Sequence, residues 1–429
     1  MFRALRYRNF RIFFIGQGIS LIGTWMEVIA MSWLVYRLTN SVFLLGLVGF
    51  ASQIPMFVLG PFAGVMVDRL NRHNILVLTQ TLSMILALIL AVLTLSGAIN
   101  VWQVVLLGFM LGCVNSLDIP ARQSFVIDMV ERKENLANAI SLNSLMFNSA
   151  RLIGPSIAGI VIMFTGEGVC FLINALSFLA VIAALMMMKV PARMAEDVKR
   201  DIFADLKEGF RYAYDFLPIR YILMLLSMIS LAGMSYVVLM PVFAKDILHG
   251  GPGTFGFLMA SAGTGAILAT LYLASRKTVV GLARLIPVFG TLFSIGIIAF
   301  SMSRTIILSL FILGFAGFGF MAHMAASNII LQTVVDDDKR GRVMGLYAMA
   351  FIGTAPFGSL LAGALASLIG ATNTLIIGGA VCIIASAYFA SKLPLIRKAV
   401  HPIYRKIGII PEIASGIDAA TRIAVPPEE

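Results

Sequence analysis

Charged residues are scarce in this chain. Asp, Glu, Lys and Arg make up 12% of its 429 residues, whereas they make up roughly 25% of an average soluble domain. Hydrophobic residues make up 59%, and the mean hydropathy is +0.95. The composition therefore excludes a water-soluble globular protein and favours a chain that crosses a membrane many times.

Cysteine and the sequence motifs of catalysis are also nearly absent. The three cysteines, Cys113, Cys170 and Cys382, lie far apart in apolar segments, without a CxxC pair or a nearby histidine. Such cysteines behave as small buried hydrophobic side chains. The sequence contains no HExxH, GxSxG or GKS/T pattern. We therefore expect no enzyme, no metal site, no cofactor and no ATP-driven step.

One glycine pattern does match a nucleotide-binding motif. Residues 251–256 read GPGTFG and satisfy GxGxxG, but they include a proline and occupy a short loop before an apolar helix. A dinucleotide site needs a βαβ unit around that pattern. We therefore interpret the match as a coincidence.

The apolar runs predict twelve transmembrane helices. Hydrocarbon offers the backbone no hydrogen-bond partner, so segments of this length cross a membrane as α-helices. The expected fold class is thus an all-α integral membrane protein. The predicted spans are residues 11–36, 43–67, 75–97, 101–125, 139–165, 169–189, 219–246, 254–275, 283–302, 305–333, 343–368 and 373–392.

The basic residues are distributed very unevenly between the two sides of these spans. Of the 32 Lys and Arg residues, 28 fall on the side of the N-terminus, and Arg37, Lys245 and Arg304 fall on the other side. Arg151 remains inside a span. By the positive-inside rule, both termini are expected in the cytoplasm. The net charge of +11 then reflects membrane topology, and no nucleic-acid partner is expected.

The two halves of the chain look like copies of each other. A shift of 210 residues superposes Gly46 on Gly256. A shift of 204 residues superposes three more glycines: Gly154 on Gly358, Gly159 on Gly363 and Gly166 on Gly370. Corresponding helices start on the same side, which is typical of transporters that rock two six-helix bundles around a central site. We therefore expect two pseudo-symmetric six-helix bundles.

This pattern divides the chain into four parts. Residues 1–190 form the N-terminal bundle and residues 218–392 the C-terminal bundle. Between them, residues 191–217 form a cytoplasmic linker with an amphipathic helix, because its apolar residues recur at helical spacing. Residues 393–429 form a cytoplasmic tail.

The loop between spans 2 and 3 carries a family motif. Gly64, Asp68, Arg69 and Arg72 form the pattern GxxxDRxxR, followed by His73. With twelve spans and a central loop, this resembles the major facilitator superfamily, whose motif has Lys or Arg where this chain has His73. The stretches FRIFFIGQGISLIGTWMEVIAMSWLVYRLTNS, DIPARQSFVIDMV and NSARLIGPSIAGI are similar to its bacterial drug and siderophore exporter branch, which includes the enterobactin exporter.

The resemblance covers residues 2 to about 392 and implies a function. It predicts a secondary transporter of the bacterial cytoplasmic membrane that exports small amphipathic molecules, drug-like or siderophore-like, by alternating access and proton antiport. The expected partners are this substrate, protons and the lipid bilayer, and we expect a monomer. The alternatives are an importer, a facilitator or a lipid transporter on the same fold, or a membrane receptor that does not transport.

Two motifs have expected mechanical roles by resemblance. In the loop motif, Asp68 is expected to dock at the start of span 11, where helix dipoles favour an anion, and Arg72 to pair with Asp128 at the end of span 4. A solvated loop whose arginines only set the topology is the alternative for Arg69. The sequence of span 5 resembles the exporter motif gxxxGPxxGG through Gly154, Pro155 and Gly159. There we expect a hinge, with a plain packing helix as the alternative.

Four ionisable residues lie at membrane depth, where their burial is costly. Burial favours the neutral form of a carboxyl group, so Glu27 could exchange protons near neutral pH, or it could form a structural hydrogen bond. Arg151 needs a counter-charge, either a substrate anion or the carboxylate of Glu27 or Asp118. Asp118 and Arg122 are spaced to form a structural ion pair.

The remaining polar candidates are a histidine in span 10 and seven amides in spans 1, 2, 4, 5, 6 and 10. His323 could relay protons, because imidazole titrates near pH 6.5 in water, or it could be a hydrogen-bonding spacer. Several amides could line a polar cavity with adaptable Met and Phe walls. These amides are Gln17, Gln53, Asn115, Asn143, Asn148, Asn174 and Asn328.

Overall fold

The structure is a computed structural model that describes residues 3–130, 135–188, 202–276 and 278–406. Within these ranges, the side chains at positions 61, 65, 68, 137, 202–206, 337, 338, 405 and 406 lie outside the description. The described chain is helical throughout, and twelve of its helices are long and apolar enough to cross a membrane. The predicted all-α membrane fold is confirmed.

The twelve spans follow the predicted order closely. Spans 1 to 6 are Arg8–Thr39, Val42–Arg69, Arg72–Leu95, Val101–Asp128, Leu136–Thr165 and Glu167–Met187. Spans 7 to 12 are Leu217–Ile247, Pro252–Ser275, Leu282–Met302, Ile306–Val334, Lys339–Ile369 and Ala371–Ser391. Span 11 continues a helix that begins at Asp337.

Spans 7 and 11 are not regular α-helices. Span 7 contains two π-helical turns, Ile229–Gly233 and Phe243–Ile247, and span 11 contains one, Met349–Gly353. A π-turn inserts a residue into the helical ladder and is common where a helix has a functional role. The hydrogen-bond pattern of these two spans therefore departs locally from that of a regular α-helix.

Besides the short 3₁₀-helix Arg3–Arg6, two described α-helices lie outside the spans, at the side of the N-terminus. The linker helix, Ile202–Asp215, packs on the start of span 11, where Arg342 Nη1 donates to Glu208 Oε1 at 2.9 Å. The tail helix, Leu393–Lys406, buries one apolar edge that includes Ile396 and Val400. Residues 189–201 of the predicted linker and 407–429 of the predicted tail lie outside the described residues.

The spans form two bundles with equivalent internal contacts. In the first, span 1 packs on spans 5 and 6, span 3 on spans 4 and 6, and span 2 on span 4. In the second, span 10 packs on spans 8 and 9, and span 12 on spans 9 and 11. Large apolar side chains such as Phe164 and Leu368 remain exposed on the outside, as a lipid-facing surface requires.

The bundles meet along two seams related by the internal repeat. In seam A, span 2 packs on span 11, and a Cβ built on Gly46 would lie 2.9 Å from Gly363 Cα. In seam B, span 8 packs on span 5, and a Cβ built on Gly256 would lie 3.0 Å from Gly159 Cα. The glycines that the sequence paired by repeat thus make the same contact in both seams. The predicted pseudo-symmetry is confirmed.

Candidate functional site

The two ends of the seams differ. We call the side that holds the N-terminus and the linker helix the basic face, and the other side the opposite face. Near the opposite face, the glycine contacts bring the backbones of the two bundles together. Lys245 Nζ also donates to Asn40 Oδ1 at 2.7 Å, and Tyr36 donates to Asp246, so both bonds join the bundles. The opposite face is therefore closed.

Seam A opens partway towards the basic face. Phe57 and Phe357 still contact each other edge to face, with ring centroids 5.6 Å apart. One turn further along span 2, a Cβ built on Gly60 or Gly64 would meet nothing within 4 Å. Among the described residues, no helix therefore packs closely on Gly60 or Gly64, and we infer that span 2 and span 11 separate at that depth in this conformation.

Seam B opens at the same depth. A Cβ built on Gly263 of span 8 would lie 3.3 Å from Leu152 Cα and 3.6 Å from the Arg151 carbonyl oxygen. Nearer the basic face on span 5, Phe147 is 41% exposed. Since the contacts between the bundles described above all lie between this depth and the opposite face, we infer that a cleft leads from the basic face to mid-membrane. We call its closed end the apex, defined by Phe57 and Phe357 in seam A and by Arg151 in seam B.

Arg151 occupies the apex, and no described residue supplies a counter-charge. Its side chain is half-buried, and its guanidinium carbon lies 5.7 Å from the ring centroid of Trp25. The charge of Arg151 also acts on Tyr236, a buried residue of span 7 in the other bundle. Among the described residues, Arg151 forms no ion pair.

The expected pairing of Arg151 with Glu27 or Asp118 is wrong for this conformation. Trp25, which stacks below Arg151, and Glu27 are two positions apart on span 1 and so point about 200° apart around the helix axis. Glu27 is buried inside the first bundle, where Asn174 of span 6 donates a hydrogen bond to its carboxylate. The other oxygen of Glu27, Oε1, has no partner among the described residues.

Asp118 is held in a separate cluster between spans 3 and 4. Its Oδ1 accepts hydrogen bonds from Thr79 at 2.9 Å and from Gln80 at 2.7 Å. Arg122 Nε lies 3.7 Å from its Oδ2. All three partners belong to the first bundle and lie away from the apex, so this arrangement braces the bundle.

His323 is completely buried in the second bundle. Its Nδ1 lies 3.3 Å from the Ile286 carbonyl oxygen, and its Nε2 has no partner among the described residues. The hydroxyl groups of Ser327 and Ser386 are likewise buried without a partner. Among the described residues, the first bundle therefore contains two buried polar clusters with an ionisable group, around Glu27 and around Asp118, and the second contains one around His323.

Four of the seven candidate amides fall into two groups. Gln17 and Asn174 are only 2% and 1% exposed, so they lie inside the first bundle and do not line the cleft as expected. Gln53 and Asn148 are half-buried, and each donates to a carbonyl one turn earlier in its own helix, at 3.1 Å and 2.9 Å. Asn148 lies one turn from Arg151 towards the basic face, in the cleft-facing part of span 5.

The loop motif forms contacts within the first bundle. Arg72 Nη1 donates to both carboxylate oxygens of Asp128, at 3.2 Å and 3.0 Å, as the resemblance suggested. Arg69 is exposed, and His73 Nε2 lies 2.9 Å from the Leu185 carbonyl oxygen. The side chain of Asp68 lies outside the described residues, so its docking on span 11 stays a prediction.

The glycines of span 5 are contact points on two sides. A Cβ built on Gly154 would lie 2.5 Å from Trp25 Cβ, and one built on Gly159 would lie 2.9 Å from the Pro252 carbonyl oxygen. Pro155 lies between them inside a continuous helix. Helix packing thus accounts for these residues, and the hinge stays a prediction.

Sequence reasoning missed several residues that shape the site. The GPGTFG stretch, set aside as a coincidence, provides the glycines of span 8 that pack on span 5. Trp25, Tyr236, Phe57 and Phe357 did not stand out among the many apolar residues. A signal for span 8 did exist, because the internal repeat had already placed Gly256 opposite Gly46.

Twelve spans in two repeated bundles, with a cleft that is closed at one end, define a transporter of the major facilitator superfamily. The family model described as "Transmembrane secretion effector" matches residues 1–406. The chain belongs to this family, and it is a membrane transporter and not an enzyme.

Curated relatives support the same class. The chain is 28% identical over 386 residues to the staphyloferrin A transporter of Staphylococcus aureus, covering 89% of this chain and 96% of that protein. It is 25% identical over 364 residues to the multidrug efflux pump Tap of Mycolicibacterium fortuitum, covering 81% and 87%. Its relatives thus include a siderophore transporter and a drug efflux pump.

Solved structures share the fold. A bacterial homologue of the iron transporter ferroportin in an inward-facing state superposes with a TM-score of 0.68 at 16% identity, covering 90% of this chain and 98% of that chain. A POT family transporter in complex with a thioalcohol-conjugated peptide gives 0.73 at 11% identity, covering 91% and 96%. At these identities the likeness concerns the fold alone.

Proposed function

We propose that the protein exports small amphipathic molecules, drug-like or siderophore-like, from the cytoplasm by alternating access coupled to proton antiport. The observation that carries the proposal is the cleft, which is open at the basic face and sealed by glycine contacts at the opposite face. The excess of Lys and Arg supports a cytoplasmic basic face, with both termini inside a bacterial cytoplasmic membrane. The protein acts as a monomer.

During transport the two bundles, residues 1–190 and 218–392, rock against each other. The cleft then closes at the basic face and opens at the opposite face. The glycine contacts at the opposite face would separate, and the ends of spans 2 and 11 would meet at the basic face. Gly60 and Gly64 have the open space that such a contact needs. The motif residue Asp68 lies beside that position and acts as part of the cytoplasmic gate, and Arg72 supports this end of the first bundle through its ion pair with Asp128.

Glu27 is the proposed proton site. It is buried inside the first bundle, and only one of its carboxylate oxygens has a hydrogen-bond partner among the described residues. A carboxyl group with that surrounding is stable when protonated and costly when charged. Movement of span 1 against span 6 would change its access to water and hence its proton occupancy.

The test uses inside-out membrane vesicles from a strain that lacks its own efflux pumps. Three fluorescent probes are offered: the cation ethidium, the neutral dye Nile red and the anion naphthalene-2-sulfonate. We expect uptake of at least one probe, accompanied by proton release from the acidified lumen, and we expect Glu27→Gln to lose the proton release. Uptake that persists after the pH gradient is collapsed would refute proton coupling, and no uptake of any probe would refute export.

His323 is a second candidate for the proton site. Its buried Nε2 without a described partner is the observation that favours it. The same vesicle assay with His323→Gln separates the two candidates, because only the variant of the true coupling site abolishes proton release. We expect His323→Gln to retain it.

A further inference from the structure

We infer that Arg151 and Trp25 form a binding site at the apex for one class of substrate, amphipathic organic anions that carry an aromatic ring. The inference rests on the proposed transport function and adds the chemistry of the cargo. Its starting point is an arginine in the middle of a membrane span that no described carboxylate neutralises.

A charged side chain at mid-membrane depth normally pairs with another group or faces water. The carboxylates that could have met Arg151 are occupied elsewhere: Glu27 binds Asn174, and Asp118 binds Thr79 and Gln80. The guanidinium therefore keeps its hydrogen-bond donors available. Its planar fork suits a carboxylate or sulfonate, which can accept two parallel hydrogen bonds.

The surroundings of Arg151 select for an aromatic group as well as for charge. The indole of Trp25 lies under the guanidinium, and the ring of Phe147 contacts Trp25 edge to face at a centroid distance of 5.8 Å. Trp25 is half-buried and Phe147 is exposed, so both rings are accessible from the cleft. A substrate ring can stack there while its anionic group reaches Arg151.

The position of Arg151 links binding to the movement of the bundles. Its carbonyl lies beside Gly263 of span 8 in the other bundle, and its charge acts on Tyr236 across the interface. An anion bound at Arg151 therefore lies next to the interface between the bundles. The pseudo-symmetric position, found by the 204-residue shift, is Ala355, which carries no charge.

The test compares two probes that differ in charge and hardly in shape. Naphthalene-2-sulfonate is an anion, and naphthalene-2-sulfonamide is its neutral counterpart. Binding of each to the purified full-length protein in lipid nanodiscs is measured by isothermal titration calorimetry. We expect the wild type to bind the sulfonate at least about tenfold more tightly than the sulfonamide.

Three variants test whether Arg151 causes that preference and whether Trp25 contributes to binding. Arg151→Gln should bind both probes equally, Arg151→Lys should keep a preference for the anion, and Trp25→Ala should weaken both probes by a similar factor. Arg284→Gln, which removes an exposed arginine at the start of span 9, is the matched control and should behave as wild type. Retained sulfonamide binding in Arg151→Gln shows that this variant is folded.

Two results would overturn the inference. The first is equal binding of the two probes, or no sulfonate binding, by the wild type. The second is an anion preference that survives in Arg151→Gln. Export of ethidium or Nile red in the vesicle assay, together with either result, would leave the proposed transport function intact and remove only the anion site.

Discussion

The two seams between the bundles are alike at one end and different at the other. At the opposite face, Gly46 meets Gly363 in seam A as Gly256 meets Gly159 in seam B. At the apex, seam A presents the paired rings of Phe57 and Phe357, whereas seam B presents the cation of Arg151.

This difference separates two tasks of the interface. The contacts that close the opposite face are alike in both seams, as we expect if both seams open and close together in the proposed transport cycle. The apex lacks that constraint, since a substrate need not have two-fold symmetry. An apolar wall on one side and a cation on the other suit an amphipathic molecule.

The largest expected effect comes from filling the shared glycine contacts. In Gly46→Leu or Gly256→Leu, the new side chain must displace backbone atoms of the other bundle, so the opposite face cannot close. Both variants should export at least about tenfold more slowly than the wild type. Spin labels at Ser41 and His249, in a cysteine-free background, should lie further apart than in the wild type when measured by pulsed electron paramagnetic resonance.

Ile160→Leu is the control for this prediction, because that exposed position is the neighbour of Gly159 on the same helix. It should export as wild type does. If only one of the two glycine variants changed the label distances, the two seams would not be mechanically equivalent.

A smaller effect is expected at the apex in seam A. Phe357→Ala removes the edge-to-face contacts of that ring with Phe50 and Phe57, at 6.0 Å and 5.6 Å. We expect the concentration of Nile red that half-saturates transport to rise about threefold to tenfold, because an aromatic contact contributes about 0.5–1.5 kcal/mol. The anion preference measured with the naphthalene probes should stay unchanged. Loss of that preference would mean that the aromatic contact in seam A and the cation in seam B do not act independently.

The polar contacts that join the bundles at the opposite face should matter less than the glycines. Tyr36→Phe removes the hydrogen bond to Asp246. Asp246 is exposed to solvent, so water can replace the lost bond. We expect the ratio of closed to open molecules to change about twofold to fivefold, as spin-label distances would report. Adding Asp246→Asn should cause little further change, and an additive effect of the two substitutions would argue against this bond.

The smallest effect on the seams is expected from Arg72→Gln. Its partner Asp128 lies in the same bundle, so we expect this pair to act mainly on the stability of the first bundle. Loss of a half-buried ion pair should lower the stability by about 1 kcal/mol, visible as a modest fall in melting temperature in nanodiscs. Label distances at the opposite face should not change; a clear shift would assign Arg72 a direct part in the gate.

Much of the fold could be predicted from the sequence. Long apolar runs in a chain with few charges have one stable arrangement in lipid, so the number of spans and their order followed from the pattern. The glycine repeat predicted which positions correspond in the two bundles. The ion pairs Arg72–Asp128 and Asp118–Arg122 followed from a family motif and from helical spacing.

The site itself could be predicted only in part. Sequence pattern identified Arg151 as an exceptional charge but left open its pairing with Glu27. It could not show which of Trp25 and Glu27 faces the cleft, since a span that is apolar all round carries no signal for its rotation. The aromatic walls were hidden for the same reason.

The sequence by itself determined that this is a twelve-span membrane protein built from two copies of one bundle, because hydrophobicity and repeat are properties of the chain. Only the tertiary structure decided which polar groups meet. It placed Glu27 and His323 inside separate bundles and left Arg151 at the end of the cleft. Helix rotation and the separation of the bundles set those partnerships, and both arise from packing between segments that lie far apart in the chain.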